Sequence, residues 1–534
     1  MRPEAPGDSR RTTIALLGAI TAAGVTLRLV LLGDSLFGDE VGAYSIVAGN
    51  GPGEIIRILH GNSVDLNPPL FFLLARLASV LGYSPETLKL VSLIAGTAAI
   101  PLTYLLGVRT VGGRAALVGA ALMAFSPFAL FYSTEARPYM LLVALGLLAS
   151  LALLRALESR QPVWWAAYAL ASAAAMYTHY TVVFLLLAQF GWAVATHPEA
   201  RRALVLANVG AAVLFAPWLP AVGENLDSPG TKVLEALHPF GFDSIAKDLS
   251  RWAGGHPFTK ASEVPGEPAL ALLVTAVVVA LAGLALARRR GLEIRLPAPG
   301  LACVLAAAVP AGLAAYSTVG SSVWDGRNLI ASLPTFTLVL GAIVTAGPPR
   351  VRLAATTLLV AGMAIAAIPM LARENRRPDY EAAARLVERV SRPGDPVVDV
   401  LLLTPGPYSA FGDVALRRLG TPDEDRRRRV LRLLGPPLQA VLDAPPYTEL
   451  PSEPVAGVAR RAARLARGRR LFVVAPLEAP FSAVRRSPRF GAYHEFATAL
   501  PARLRPAGAH TFDSLVPFTV YVLRDRASAR RAIR

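Results

Sequence analysis

A chain that repeats apolar runs of about 20 residues has few ways to fold, because a helix crosses the hydrocarbon core of a bilayer in about that length. We read about eleven such runs, at roughly 12–33, 86–107, 115–132, 138–157, 163–177, 181–196, 203–222, 268–287, 298–317, 328–346 and 353–371. With 54% hydrophobic and 17% charged residues in 534, the composition is too apolar for a soluble protein of this size. The formal net charge of +17 does not point to nucleic acid. Its arginines gather in short runs between apolar spans and in the C-terminal third, where loop topology and lipid head groups account for them. The single cysteine, Cys303, lies inside an apolar span, which excludes a disulfide framework and a thiol metal site. The first apolar run contains Arg28 and lacks a small-residue cleavage site, so we read a retained helix and not a cleaved signal peptide.

Loop charge orients the spans, since short cytoplasmic loops carry the excess of Lys and Arg. One set of connections holds Arg10, Arg11, Arg109, Arg114, Arg155, Arg160, Arg201, Arg202, Arg288 to Arg290, Arg350 and Arg352. The opposite set holds Asp34, Asp39, Glu40, Glu54, Asp65, Glu135, Asp227, Asp243 and Asp248. The first set is expected to face the cytoplasm with the N-terminus, and an odd number of spans puts the C-terminus outside. Asn67-Pro68-Pro69-Leu70 and the short apolar stretch after it, with Arg76 in its middle, fit an interfacial helix in a first outer loop over 34–85. The composition changes after Leu371, so residues 1–371 are expected to form the membrane domain and 372–534 a small extracytoplasmic α/β domain. There an amphipathic helix, a Pro393-Gly394-Asp395 turn and a buried strand are expected first, then strands near 470–474 and 519–523. The clusters Arg426 to Arg429 and Arg460 to Arg470 read as a solvated or lipid-facing surface.

Five clusters sit at the outer ends of spans. Asp39 and Glu40 form an acid pair with Tyr44 one helical turn on, and ionisable groups at a membrane helix end mark a functional site by default. Next comes Asn67-Pro68-Pro69-Leu70, whose prolines start a helix without donors in its first turn. Ser126-Pro127 leads into Tyr132-Ser133-Thr134-Glu135-Ala136-Arg137-Pro138-Tyr139, a turn between two spans. Tyr177-Thr178-His179-Tyr180 and Trp324-Asp325-Gly326-Arg327 complete the set.

Together these motifs resemble the polytopic GT-C-fold glycosyltransferases, most closely the family 39-like group with protein O-mannosyltransferases and the lipid A aminoarabinose transferase. The resemblance covers roughly residues 12–371. In that group the late arginine is usually followed by Tyr, whereas Arg327 is followed by Asn328. The resemblance implies transfer of a sugar, hexosyl or pentosyl, from a polyprenyl-phosphate donor to a lipid, glycan or protein acceptor on the outer face. It implies Asp39 as the catalytic carboxylate with Glu40 beside it. The chemistry agrees: such a leaving group needs no nucleotide-binding glycine loop, and none is evident. It needs cations for the developing phosphate charge, for which Arg137 and Arg327 are candidates, with Glu135 orienting Arg137. Tyr44, Asn67, Tyr132, Tyr139, His179 and Tyr180 are candidate substrate-binding residues. A divalent ion on Asp39 and Glu40 is compatible, because hard cations take oxygen ligands.

Plainer readings stand beside these. Glu135 and Arg137 fit a structural ion pair closing a turn, His179 fits a packing residue, and the tyrosines fit an interfacial aromatic belt. A transporter or flippase would show paired inverted halves with broken mid-membrane helices, which are not evident. A catalytically inactive scaffold of the same fold is the other alternative. The topology is checked by cysteine labelling near Arg289 and near Asp395: the expected outcome is labelling from opposite sides of the membrane, and labelling of both from one side would overturn it.

Overall fold

The structure, a computed structural model, describes residues 6–60, 65–82, 84–226, 240–289, 298–320, 322–392, 395–399, 430–432, 455–476, 481–487 and 491–525. Asp227, Arg290, the Pro393-Gly394 turn and the cluster Arg426 to Arg429 lie outside them. The helices follow the apolar runs. In chain order they are α1 (Pro6–Leu32), α2 (Asp39–Val47), α3 (Pro52–His60), α4 (Leu70–Ala78), α5 (Pro85–Thr110), α6 (Gly113–Phe125) and α7 (Pro127–Ser133). Then come α8 (Tyr139–Ser159), α9 (Pro162–Met176), α10 (Val182–Thr196), α11 (Arg201–Phe215), α12 (Leu219–Leu226), α13 (Phe242–Gly254) and α14 (Glu267–Arg289). The remainder are α15 (Pro299–Val319), α16 (Leu333–Thr345), α17 (Pro349–Ala367), α18 (Tyr380–Val390), α19 (Val455–Leu465), α20 (Phe481–Val484) and α21 (Gly491–Ala499). Proline recurs in the first turns of α5, α7, α9, α15, α16 and α17, where its fixed φ suits a helix start and its missing N–H is not needed.

The chain divides into two compact units. One takes in the chain to Gly33 and Ile46–Leu371, and the other combines Asp34–Ser45 with the chain after Leu371. In the first unit, eight helical segments among the described residues are long and apolar enough to cross a membrane, and the bent pair α6–α7 brings this to nine. The protein is therefore a multi-pass membrane protein. That measure leaves the count of about eleven unconfirmed, because α9 and α10 have only 15 residues each, short of the roughly 20 a straight crossing needs. The apolar stretch that follows Asn67-Pro68-Pro69 is a short helical segment, Leu70–Leu81.

Lipid tails are as apolar as leucine, so helices in a membrane associate through close packing and buried polar contacts. Small residues mark the closest approach. A Cβ at Gly341 of α16 would overlap the Ala115 carbonyl of α6, and one at Gly96 of α5 would overlap the Ser133 hydroxyl of α7. The polar contact is Arg28 of α1, which is fully buried. Its Nε donates to Ser133 Oγ at 3.0 Å, Nη1 to the Gly24 and Ala124 carbonyls at 2.9 and 3.1 Å, and Nη2 to the Met123 carbonyl at 3.2 Å. The axis bends by 59° between α6 and α7. Pro127 has no N–H to give the Met123 carbonyl four residues before it, and a helix end leaves its last carbonyls without intrahelical partners. The guanidinium supplies donors to these carbonyls.

The second unit contains a five-stranded sheet in the order β2-β1-β3-β5-β4, from β1 (Val397–Asp399), β2 (Val430–Arg432), β3 (Arg470–Pro476), β4 (Leu504–Phe512) and β5 (Phe518–Asp525). β1 runs parallel to β2 and β3, while β3–β5 and β4–β5 are antiparallel. The register pairs Leu471 with Leu523 and Val473 with Tyr521. These side chains pack with Ala459, Ala463, Tyr493 and Phe496 from α19 and α21. Alternate strand residues share a face, which is why one helix pair can cover them. The strands expected near 470–474 and 519–523 are β3 and β5.

The Arg28 contacts carry a prediction. Arg28→Met keeps much of the side-chain bulk but removes the donors, so it should lower the thermal unfolding midpoint in detergent, at about 1–3 kcal/mol per carbonyl left without a donor. Arg28→Lys should fall between the two, and a midpoint unchanged by Arg28→Met would show that these hydrogen bonds do not stabilise the bend.

Candidate active site

In the membrane unit the bend between α6 and α7 sets up the expected turn. Ser126 caps α7, its hydroxyl accepting the Ala129 N–H at 3.3 Å, and α7 ends at Ser133. The chain then turns through Thr134–Pro138 into α8: Arg137 N donates to the Glu135 carbonyl at 2.8 Å, and Ser92 Oγ of α5 donates to the Arg137 carbonyl at 2.9 Å. Arg137 is thus fixed through its backbone from the neighbouring helix. Its guanidinium is buried and forms an ion pair with Asp65, Nη2 reaching Oδ1 at 3.4 Å while Nη1 meets Oδ2. A buried guanidinium needs a partner, and a two-pronged carboxylate matches its fork.

Asp65, which the sequence offers only as one of several acidic loop residues, links two of the clusters. Its Oδ1 also accepts the Asn67 N–H at 3.0 Å and Asn67 Nδ2 at 2.7 Å, an Asx-type turn that leads into Pro68, Pro69 and α4. The signal was present as Asp-x-Asn-Pro-Pro, but nothing local to it names an arginine 72 residues away. At the start of α4, Leu70 N donates to the Tyr177 carbonyl at 3.0 Å, tying this segment to the turn that holds His179.

His179 is buried between α9 and α10. Its Nδ1 accepts the Thr181 N–H at 3.3 Å, which places the remaining ring proton on Nε2, and lies 2.9 Å from Thr181 Oγ1. Burial lowers its pKa to about 3, Arg137 and Arg327 push in the same direction, and Asp325 opposes them. The imidazole is therefore neutral near pH 7, and it lies in the field of both candidate phosphate-binding arginines. Arg327 Nε pairs with Asp325 Oδ2 at 2.8 Å, and Asp325 Oδ1 accepts the Arg327 N–H at 3.2 Å. Both side chains are only about one-fifth exposed.

The aromatic candidates divide. Tyr132 and Tyr139 are buried and meet edge to face at 4.9 Å, with the Tyr139 and His179 rings 5.7 Å apart. The Tyr180 hydroxyl accepts from Trp218 Nε1 at 3.0 Å and Asn225 Nδ2 at 3.2 Å. Burial raises its pKa, the two hydrogen bonds oppose that, and Asp65 adds to the rise.

The acid pair belongs to the second unit. Glu40 is fully buried: its Oε2 accepts the Phe37 N–H at 3.0 Å and lies 3.0 Å from Arg377 Nε. Asp39 and Tyr44, both on α2, are half-buried. Among the described residues no group of three or more His, Cys, Asp and Glu side chains comes together as a metal site would require.

Residues 66–220 match the family model for dolichyl-phosphate-mannose-protein mannosyltransferase. That segment holds Asn67, Tyr132, Glu135, Arg137, Tyr139, His179 and Tyr180. No curated protein sequence matches the chain. Among solved structures, it is similar to ArnT from Cupriavidus metallidurans bound to undecaprenyl phosphate, at 13% identity and TM-score 0.52, covering 97% of this chain and 98% of that one. The apo form of the same protein gives 12% identity and TM-score 0.54 over 96% and 98%. The archaeal oligosaccharyltransferase AglB from Archaeoglobus fulgidus, in complex with an inhibitory peptide and a dolichol-phosphate, gives 13% identity and TM-score 0.50 over 92% and 72%.

The His179 geometry predicts a pH dependence. An unfolded histidine titrates near about 6.5 and the folded one near about 3, so between these values only the unfolded chain takes up the proton. Stability from this group is complete above the upper value and is lost as pH falls toward the lower one. His179→Gln should flatten that part of the unfolding-midpoint profile between pH 4 and 6.5, and an unchanged profile would count against a buried neutral imidazole.

Proposed function

Because the chain has the fold of the GT-C membrane glycosyltransferases, we propose that it transfers a sugar from a polyprenyl-phosphate donor to an acceptor on the outer side of the membrane. The observation that carries this reading is that turns far apart in sequence come together: the Tyr139 ring, two residues after Arg137, lies 5.7 Å from the His179 ring, and Arg137 and Arg327 both act electrostatically on that imidazole. Cations at a water-poor interface suit a phosphate whose charge grows as the glycosidic bond breaks, and prearranged donors are worth most there. A neutral imidazole adds a hydrogen-bond donor through Nε2 without competing for the anion as a third full charge.

The acceptor hydroxyl or amine attacks the anomeric carbon, the bond from that carbon to the phosphate oxygen breaks, and the acceptor proton passes to the Asp39 carboxylate. Polyprenyl phosphate leaves bound to Arg137 and Arg327. Glu40 acts as the orienting member of the pair, a role supported by its hold on the Phe37 N–H. The dolichol-phosphate-linked family model and the undecaprenyl phosphate bound by ArnT support a lipid phosphate donor. The sugar is a hexosyl or pentosyl group, and the acceptor a lipid, glycan or protein. Loop charge supports a cytoplasmic N-terminus and an extracytoplasmic C-terminal domain.

The test is transfer by the purified protein in lipid, offered radiolabelled polyprenyl-phosphate sugars and nucleotide sugars with an extract of outer-surface acceptors. Turnover should require the lipid donor. Asp39→Asn should cost about a hundredfold to ten-thousandfold in rate, the usual share of general base catalysis. Arg137→Lys should damage transfer despite keeping the charge, because lysine lacks the fork that matches phosphate oxygens. Turnover with nucleotide sugars alone would reject the proposal. Movement of labelled lipid across the bilayer without transfer would favour a flippase.

A further inference from the structure

The stretch carrying the acid pair is held by arginines that lead into the C-terminal part of the chain. Building on the proposed role of Asp39, we propose that Arg376 and Arg377 are positioning residues, a two-pronged clamp by which the C-terminal domain sets the geometry of the catalytic carboxylate. Arg376 Nε lies 3.0 and 3.3 Å from the two oxygens of Asp34, and its Nη2 meets Oδ1 as well. Asp34 is buried. Arg377 Nε is 3.0 Å from Glu40 Oε2, with side-chain exposures of 2% and 0%. In each pair the carboxylate is buried, so removing its arginine takes away a charged partner where solvent cannot replace it.

The clamp grips both sides of the turn that precedes α2. Gly38, with φ of 57°, lets the chain reverse there, and Glu40 N donates to the Phe37 carbonyl at 3.2 Å. The Glu40 carboxylate reaches back to the Phe37 N–H, as the glutamate of a capping box does. With Asp34 fixed before the turn and Glu40 fixed after it, the backbone of Asp39 has little freedom left, although its own side chain stays half-buried.

The arginines are themselves anchored to the folded domain. The Arg376 carbonyl accepts the Leu515 N–H at 2.9 Å, in the turn between β4 and β5. Three residues on, Asp379 pairs with Arg373 and caps α18 by accepting the Ala382 N–H at 2.9 Å. The Tyr380 ring then packs on Phe518 of β5 at 5.2 Å. A continuous line of contacts thus runs from the sheet to Glu40. Loss of that domain's packing should reach Asp39 without any substitution near the reacting atoms.

The experiment compares wild type with Asp34→Asn, Arg376→Gln, their double variant, Arg377→Gln and Arg377→Lys, all as the full chain in lipid. Two readouts are taken: hydrogen exchange over residues 34–45, and kcat and KM for a polyprenyl-phosphate sugar. Each single removal should speed exchange across 34–45 and lower kcat by about tenfold to a hundredfold, the scale of a misplacement near 1 Å, with donor KM within about twofold. Arg377→Lys should keep most of both. The double variant removes both charges of the pair and should do no worse than either single one, which keeps the test open if Arg377→Gln fails to fold. Unchanged exchange over 34–45 in Arg376→Gln and in the double variant would overturn the clamp. So would a kcat loss accompanied by an equal rise in KM. If wild type transfers no sugar, the transferase reading falls, and the exchange comparison decides the clamp by itself.

Discussion

A guanidinium keeps its charge at any pH a protein meets, so burying one away from water obliges the surrounding chain to supply acceptors. Arg28, Arg137 and Arg377 are all buried, and each is matched differently. Arg28 takes carbonyls where α6 breaks, Arg137 takes a carboxylate 72 residues earlier in the chain, and Arg377 takes Glu40. Within its own unit, each arginine ties together segments distant in sequence: Arg28 and Arg137 in the membrane unit, Arg377 in the unit that holds the acid pair.

The consequence for chemistry is preorganisation. Arg137 has its carbonyl held by Ser92, its guanidinium by Asp65, and the helix before it stapled through Ser133 to Arg28. A group held this way would not have to reorganise to meet the phosphate proposed for it, which is where most electrostatic catalysis originates. The Asp65 pair also has a cost: any anion that takes Arg137 must compete with a carboxylate already in place. The proposed phosphodiester donor would meet that competition with charged, multiply accepting oxygens, whereas a neutral ligand has nothing to offer in exchange.

The two compact units divide the chemistry unevenly. The membrane unit carries the cationic turns and the buried histidine. The acid pair falls in the unit that also contains the C-terminal sheet. A domain whose sequence bears no recognisable phosphate loop or metal spacing still has a physical role if its arginines hold a carboxylate in place. Its sheet supplies a rigid base for those arginines, since β3 and β5 pair over seven consecutive positions and the β4–β5 turn is bonded to Arg376.

Much of this was legible in the sequence because it depends on local properties. Apolar runs of bilayer length make membrane helices wherever they sit, and the short apolar runs at 470–474 and 519–523 make strands, whereas the reading of 115–132 as one run did not show the bend at Ser126-Pro127. Arg137, Arg327 and His179 could likewise be picked out from the turns that bear them. The number of crossings could not be read so directly, because α9 and α10 are apolar along their length yet only 15 residues long, and composition does not record where a helix stops. Pairings were decided by the tertiary structure alone. Asp65 with Arg137, Arg28 with the α6 carbonyls, and Arg377 with Glu40 join residues far apart in the chain. Charge and spacing limit which groups need a partner, but which partner each one finds depends on how the helices and strands pack, and that is a property of the whole fold.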